Sequence, residues 1–163
     1  MADMAQQTPA GQPVFAREDP LRDDLDVLFQ RHSADMHADT PPESNHMLPR
    51  QSLRGDGIGF FVLRLGGAPV AMGAMKRLDG SGAELKSMHV LAEHRGRGLS
   101  RLLLDHLIAE ARAQGFRQLF LETGVQPTFI AARGLYQRAG FVACAPFGDY
   151  RPDANSLFMF RKI

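Results

Sequence analysis

Apolar positions along the chain fall into two rhythms, helical stripes and short strand-like runs, and their order outlines the fold. Val14 to Ala16 suits a short strand, after which Asp19-Pro20 offers an N-cap and a residue pre-set for a first helical turn. Leu21, Leu25, Leu28 and Phe29 recur at helical spacing with Arg22, Asp23, Asp26 and Gln30 off the stripe, so a helix is predicted that fades near His32. From His32 to Arg54 the chain is polar, carries Pro41, Pro42 and Pro49, and has only Met36, Met47, Leu48 and Leu53 as anchors. At most a short second helix fits there.

Ile58 to Leu65 and Pro69 to Lys76 are apolar runs joined by Gly66-Gly67, a pair suited to a hairpin turn. A turn at Asp79 to Gly82 leads to a third strand, Ala83 to Val90. Its apolar phase slips: Ala83 and Leu85 alternate, then Lys86 and Ser87 are polar in succession before Met88 and Val90. A β-bulge accounts for the slip, and so does a simple change of burial at an exposed edge; a bulge would bend the strand and open the sheet. Leu99, Leu102, Leu103, Leu107, Ile108 and Ala111 give a broad helical face ending at Gly115. A strand at Gln118 to Thr123, a helix at Thr128 to Ala139 stopped by Gly140, and strands at Phe141 to Cys144 and Ser156 to Arg161 complete the order. Early antiparallel strands followed by a strand, helix, strand crossover define an α/β fold.

Length and charge narrow the function. A chain of 163 residues corresponds to about one domain, expected over residues 14–163 behind a disordered lead-in at residues 1–13. The balance of 19 basic against 18 acidic residues, a formal charge of +1, excludes a global field for nucleic acid or anionic membrane. No apolar run approaches a bilayer span and no secretory signal opens the chain, so a cytoplasmic location is expected. The single cysteine, Cys144, reads as a small buried hydrophobe beside Phe141 and Val142. The six histidines lack metal-ligand spacing, and no metal is assigned.

The chemistry concentrates after the third strand. Arg95-Gly96-Arg97-Gly98-Leu99-Ser100 runs into the leucine-rich helix, where free N–H groups and the positive end of the helix dipole favour an anion. Glycines at 96 and 98 allow close backbone approach, and Arg95, Arg97 and Arg101 supply cationic forks suited to a diphosphate. By composition alone a solvated basic turn is the commoner outcome.

The set Met88-His89-Val90, Arg95-Gly96-Arg97-Gly98-Leu99-Ser100, Leu121-Glu122-Thr123 and Gly134-Leu135-Tyr136-Gln137-Arg138-Ala139-Gly140-Phe141 resembles the GNAT N-acetyltransferase superfamily over most of the chain after residue 55. Arg95, Gly98 and Ser100 fill the family's phosphate-loop places, Ser100 being a small departure, and Leu135-Tyr136 with Gly140-Phe141 has its C-terminal spacing. The resemblance implies a mixed, mostly antiparallel sheet of six to seven strands with about four flanking helices, and a bulged strand splayed from its neighbour to take the pantetheine arm. It implies acetyl-CoA as co-substrate, held by Met88, His89 and Val90 and by residues from Arg95 to Arg101, with the Val90 N–H polarising the thioester carbonyl. The activity implied is acetyl transfer to a primary amine of a small molecule by direct attack. Tyr136 matches the family's general acid, although it also suits a core position beside Ala132 and Leu135; Glu122 and Glu84 are both candidate bases. His37, Glu43, Ser44 and His46, in a segment with a Pro-Pro-Glu-Ser stretch, and Tyr150 near the C-terminal turn are candidate acceptor contacts. Two other classes compete: a CoA-binding or interaction module without turnover, and a nucleic-acid binder using Arg95, Arg97 and Arg101, which the near-neutral charge opposes. Superfamily members often pair as homodimers.

Overall fold

The glycine pair turns the chain as its chemistry predicts. Gly66 and Gly67 have φ of 54° and 81°, the left-handed pair whose twist matches an antiparallel hairpin. The strands it joins, β2 (Ile58–Leu65) and β3 (Ala68–Arg77), lie within a seven-stranded sheet seen in a computed structural model that describes residues 11–163. The others are β1 (Pro13–Arg17), β4 (Gly82–Val90), β5 (Gln118–Gly124), β6 (Val142–Ala143) and β7 (Ser156–Lys162). Their order is β1-β2-β3-β4-β5-β7-β6, and every neighbouring pair is antiparallel except β4 with β5. Three α-helices accompany the sheet among the described residues, α1 (Asp26–Asp39), α2 (Leu99–Ala113) and α3 (Ile130–Arg138), fewer than the four expected. Short 3-10 turns, such as Pro42–Ser44 and Arg50–Arg54, stand in place of the short second helix expected between His32 and Arg54. Of the expected lead-in, residues 1–10 lie outside the described residues, and Pro13 already pairs with Leu65.

Strand alternation builds two cores. Phe61, Leu63, Leu85, Leu119, Leu121 and Met159 bury one face under α2 and α3, against Leu103, Leu107 and Phe141. Phe60, Val62, Met72 and Ala74 bury the other face with Leu25, Leu28, Leu53 and Leu91. Burial of a side chain such as Leu103 or Leu28 contributes roughly 1.5–3 kcal/mol each.

The first helix departs from expectation at both ends. It starts at Asp26 rather than after Pro20, because the Arg50 guanidinium takes the Pro20 and Arg22 carbonyls at 2.7 and 2.8 Å, acceptors that an earlier helix would need. The Asp19 carboxylate instead accepts the Leu21 N–H at 3.0 Å in a local turn. The helix runs on to Asp39 because the buried stripe continues from Leu28 to His32, a histidine in an apolar position. Cys144, expected to be buried, is half-buried, just beyond the two-residue edge strand β6.

Candidate active site

The bulge inferred from the phase slip is present. Met72 faces His89 and Ala74 faces Lys86, so Gly73 alone opposes Ser87 and Met88. Ser87 takes a left-handed φ of 55°, unique among the described non-glycine residues. Beyond the kink β4 leaves its parallel neighbour: pairing with β5 ends at Glu84 and Phe120, while β4 continues to Val90 and β5 to Gly124. The resulting gap is a cleft between the two strands, lined by Met88, Leu121, Glu122, Gly124 and Tyr136 among others. Leu91 donates its N–H to Val70 at 3.0 Å, so strand alternation turns the Val90 N–H and C=O away from β3 and toward the gap.

At the far end of β4 lies the start of α2. Gly96 and Gly98 have φ of 77° and 75°, conformations that suit glycine, and open space surrounds both. No backbone N–H from Gly96 to Arg101 donates a hydrogen bond among the described residues; the first helical bond runs from Leu102 to Gly98. Those amides, with the helix dipole behind them, form a site for an anion. The arginines divide. Arg95 reaches back to donate Nε to the Val90 carbonyl at 3.0 Å and Nη2 to Asp35 at 2.9 Å. Arg101 pairs with Asp105 on its own helix at 3.0 Å, and Arg97 is exposed with no ion pair among the described residues. Of the three expected cations, only Arg97 is therefore uncommitted.

Tyr136 and Glu122 enter the cleft from opposite faces of the sheet. Tyr136 comes from α3, buried with its hydroxyl 3.5 Å from Met88 Sδ, and burial, followed by the charge of Glu122, pushes it up to about 12. It therefore stays a proton donor at neutral pH. Glu122 sits on β5 between the inward-facing Leu121 and Thr123, so its carboxyl projects to the α1 face. Burial lifts it above the usual carboxylate range even though Ser156 Oγ donates to it at 2.7 Å. Glu84, the other candidate base, is spoken for: its Oε2 accepts from Tyr150 at 2.5 Å and from Lys86 Nζ at 3.1 Å. Lys86 also donates to the Tyr150 oxygen at 2.8 Å, closing a buried triangle. Burial, followed by the charge of Glu84 and the hydrogen bond to it, drives the Tyr150 hydroxyl far above its ordinary range.

The remaining sequence candidates separate cleanly. His46 and Tyr150 line the cleft, with ring centroids 5.2 Å apart edge to face. Ser44 is buried behind them, donating to Asp153 at 3.0 Å and accepting from Asn155 at 3.2 Å; it holds the wall instead of forming it. Asp153 also approaches His46 Nε2 at 3.5 Å. His37 turns Nδ1 to the Ser33 carbonyl of its own helix at 2.7 Å and Glu43 is exposed; neither reaches the cleft. Sequence reasoning missed Lys86, His32, Met36 and Phe129, all of which line it. Lys86 carried a signal, as one of the two polar residues at the phase slip, and so did His32, which falls on the helical stripe four residues after Leu28.

Residues 22–141 match the family model described as Acetyltransferase (GNAT) family. The IAA acetyltransferase of Azospirillum brasilense is 43% identical over 154 residues, 91% of this chain and 97% of that protein. The uncharacterized N-acetyltransferase YsnE of Bacillus subtilis is 41% identical over 136 residues, 83% of this chain and 90% of its own length. Among solved structures, a protein of Klebsiella pneumoniae assigned as an acyl-CoA N-acyltransferase is 28% identical and superposes with a TM-score of 0.75 over 92% of this chain and 97% of the other. With the splayed strands, the glycine-flanked helix start and these matches in agreement, the chain belongs to the GNAT acetyltransferase family and is an acyltransferase.

Proposed function

We propose that the protein transfers an acetyl group from acetyl-CoA directly to a primary amine of a small molecule, with Glu122 as general base and Tyr136 as general acid. The observation that carries this reading is the placement of a raised carboxyl and a protonated phenol on opposite faces of one gap, beside a strand edge whose Val90 N–H points away from β3. A primary ammonium must lose a proton before its nitrogen can attack a thioester. A carboxylate that binds protons more strongly than usual is the better acceptor for it. The leaving thiolate needs a proton, and Tyr136 holds one. No covalent enzyme intermediate is required, and half-buried Cys144 is not among the residues lining the cleft.

In this reading the backbone of Met88, His89 and Val90 pairs with the pantetheine arm, and the Val90 N–H polarises the carbonyl under attack, an oxyanion-type contribution. The amides from Gly96 to Ser100 hold the diphosphate, helped by Leu99 starting the helix and by Arg97 at the rim; Arg95 keeps the edge of β4 in place and Arg101 adds charge nearby. Glu84 is a framework residue, and His46 and Tyr150 contact the acceptor. A bounded cleft, walled by residues 46–48 and by Tyr150, supports a small acceptor over a protein one. No helix among the described residues is long and apolar enough to cross a membrane, and with a single cysteine this supports a cytoplasmic setting.

The test is turnover. Mixing the protein with acetyl-CoA and a panel of primary amines should release free thiol in step with amine consumption. Absence of both acetyl-CoA binding and turnover would sink the reading.

A further inference from the structure

A second cavity opens beside the cleft, between the β3–β5 surface and the 144–155 segment, and the two share His46, Met47, Glu84, Lys86 and Tyr150. They adjoin at the Lys86–Glu84–Tyr150 triangle, whose side chains belong to the lining of both. The outer cavity has an aromatic lining. Phe120 forms its floor and Phe147 its wall, with ring centroids 5.0 Å apart, and Tyr150 lies 5.1 Å beyond Phe147. All three rings are only half-buried, so part of each faces the cavity. Behind them Phe158 and Phe160 fix the arrangement, Phe158 at 5.9 Å edge-on to Phe147 and Phe160 at 5.7 Å from Phe120.

Charge sharpens the picture. Three basic side chains, Lys76, Arg77 and Lys86, face three acidic ones, Asp79, Glu84 and Asp149, around this cavity. With no net sign, its walls select neither a polycationic nor a polyanionic body. Spacing supplies the rest: Phe120 and Glu122 share a face of β5 two residues apart, roughly 6.5 Å along the strand. A ring stacked at Phe120 would put an amine at Glu122 if a short linker of about two carbons joined them.

Resting on the acetyl-transfer reading, we propose that the outer cavity binds the body of the acceptor, and that the acceptor is a monoamine bearing an uncharged aromatic ring on a short alkyl linker. Phe120 and Phe147 are the specificity-determining residues. Aromatic pairing adds to plain apolar burial only when the ligand has a π-face, which separates an aryl amine from a saturated one of the same shape.

Kinetics with acetyl-CoA and 2-phenylethylamine, 2-cyclohexylethylamine, n-octylamine and spermidine test this, each followed by thiol release. The aryl amine should show a kcat/KM roughly three- to tenfold above its cyclohexyl analogue and further above spermidine. Phe147→Leu keeps the apolar bulk and loses the ring; it should abolish the aryl preference by raising KM for 2-phenylethylamine while leaving KM for acetyl-CoA unchanged. Phe147→Tyr should keep the preference. Equal or better use of octylamine or spermidine overturns the inference and leaves acetyl transfer standing, as does a preference that survives Phe147→Leu in a protein with an unaltered thermal midpoint. Failure of every amine, with no acetyl-CoA bound, removes the transfer reading and this inference with it.

Discussion

The two sides of the gap are built on different principles. On the side of β4 and the start of α2, the groups offered to a ligand belong to the main chain: the Val90 edge and the amides from Gly96 to Ser100, presented by glycines at positive φ. At the acceptor end of the gap the groups are side chains from four separate stretches: His46, Glu84 with Lys86 from the first half of β4, Glu122, and Tyr150. Main-chain recognition tolerates many side chains, so one such side can serve relatives with different acceptors. Side-chain recognition is tied to a particular acceptor and changes with it.

The largest effects should fall where the two sides meet. Tyr136→Phe and Glu122→Gln are each expected to lower kcat about a hundred- to ten-thousandfold, the usual share of a general acid or base, with KM for acetyl-CoA little changed. The pH profile separates them. Because burial raises the Glu122 carboxyl, the rate should climb with pH as that proton leaves, with a midpoint above the ordinary carboxylate range. Glu122→Gln should erase this climb, and Tyr136→Phe should retain it. A climb that persists in the glutamine variant would assign the base elsewhere.

The side-chain half should also be the more brittle in folding. Lys86 and Glu84 have side chains only 10% and 4% exposed, so Lys86→Met would leave a buried carboxylate with Tyr150 as its single partner. Breaking such a pair costs about 3 kcal/mol, read from urea midpoints. Adding Glu84→Gln should recover much of that loss, because the uncompensated charge is what destabilises; an additive double variant would contradict the pairing.

How much of this could be read from the chain follows the same division. The hairpin, the leucine-faced helix and the glycine loop were legible because each is encoded within a few consecutive residues, as with Gly66-Gly67 and the Leu99 to Ala111 stripe. Even the bulge left a local trace at Lys86-Ser87. For His37 and Glu43 the sequence offers only a polar segment with a Pro-Pro-Glu-Ser stretch, in a region that the family layout puts around the acceptor cleft. The structure separates them, since a 3-10 turn at Pro42–Ser44 buries Ser44 and leaves Glu43 in solvent. The start of α1 is hidden from the local sequence for a related reason: Arg50, far along the chain, takes the carbonyls that a helix from Pro20 would use.

At the border of the cleft, α1 meets β4 through two histidines, the cleft-lining His32 and His89, whose rings lie 5.4 Å apart. Burial, chiefly, pushes both down from 6.5 to about 4, so both are neutral at pH 7. The unfolded chain takes up these protons near pH 6.5 while the folded chain resists until about 4. Stability is therefore complete above about pH 6.5, falls as pH drops through that window and flattens below 4, by up to about 3 kcal/mol for each histidine. Urea unfolding of His32→Leu from pH 7 to 5 should show a shallower decline than the parent, and an identical slope would place the proton uptake on other groups.

The smallest effect is the most pointed test of the main-chain side. Arg97 is the exposed arginine of the loop with no ion pair among the described residues, so by charge alone it is the natural anchor for a diphosphate. An exposed cation in water contributes little, about 1 kcal/mol or less, and salt screens it. Arg97→Ala should therefore raise KM for acetyl-CoA only about threefold to fivefold at low ionic strength, with the difference shrinking as salt is added and kcat unchanged. If the backbone amides from Gly96 to Ser100 carry the binding, most affinity survives this deletion. Gly98→Val, which forces a β-branched residue into a left-handed φ of 75°, should weaken cofactor binding more than Arg97→Ala without removing any charge. The reverse ranking would mean that a single guanidinium, and not the turn of the backbone, holds the phosphates.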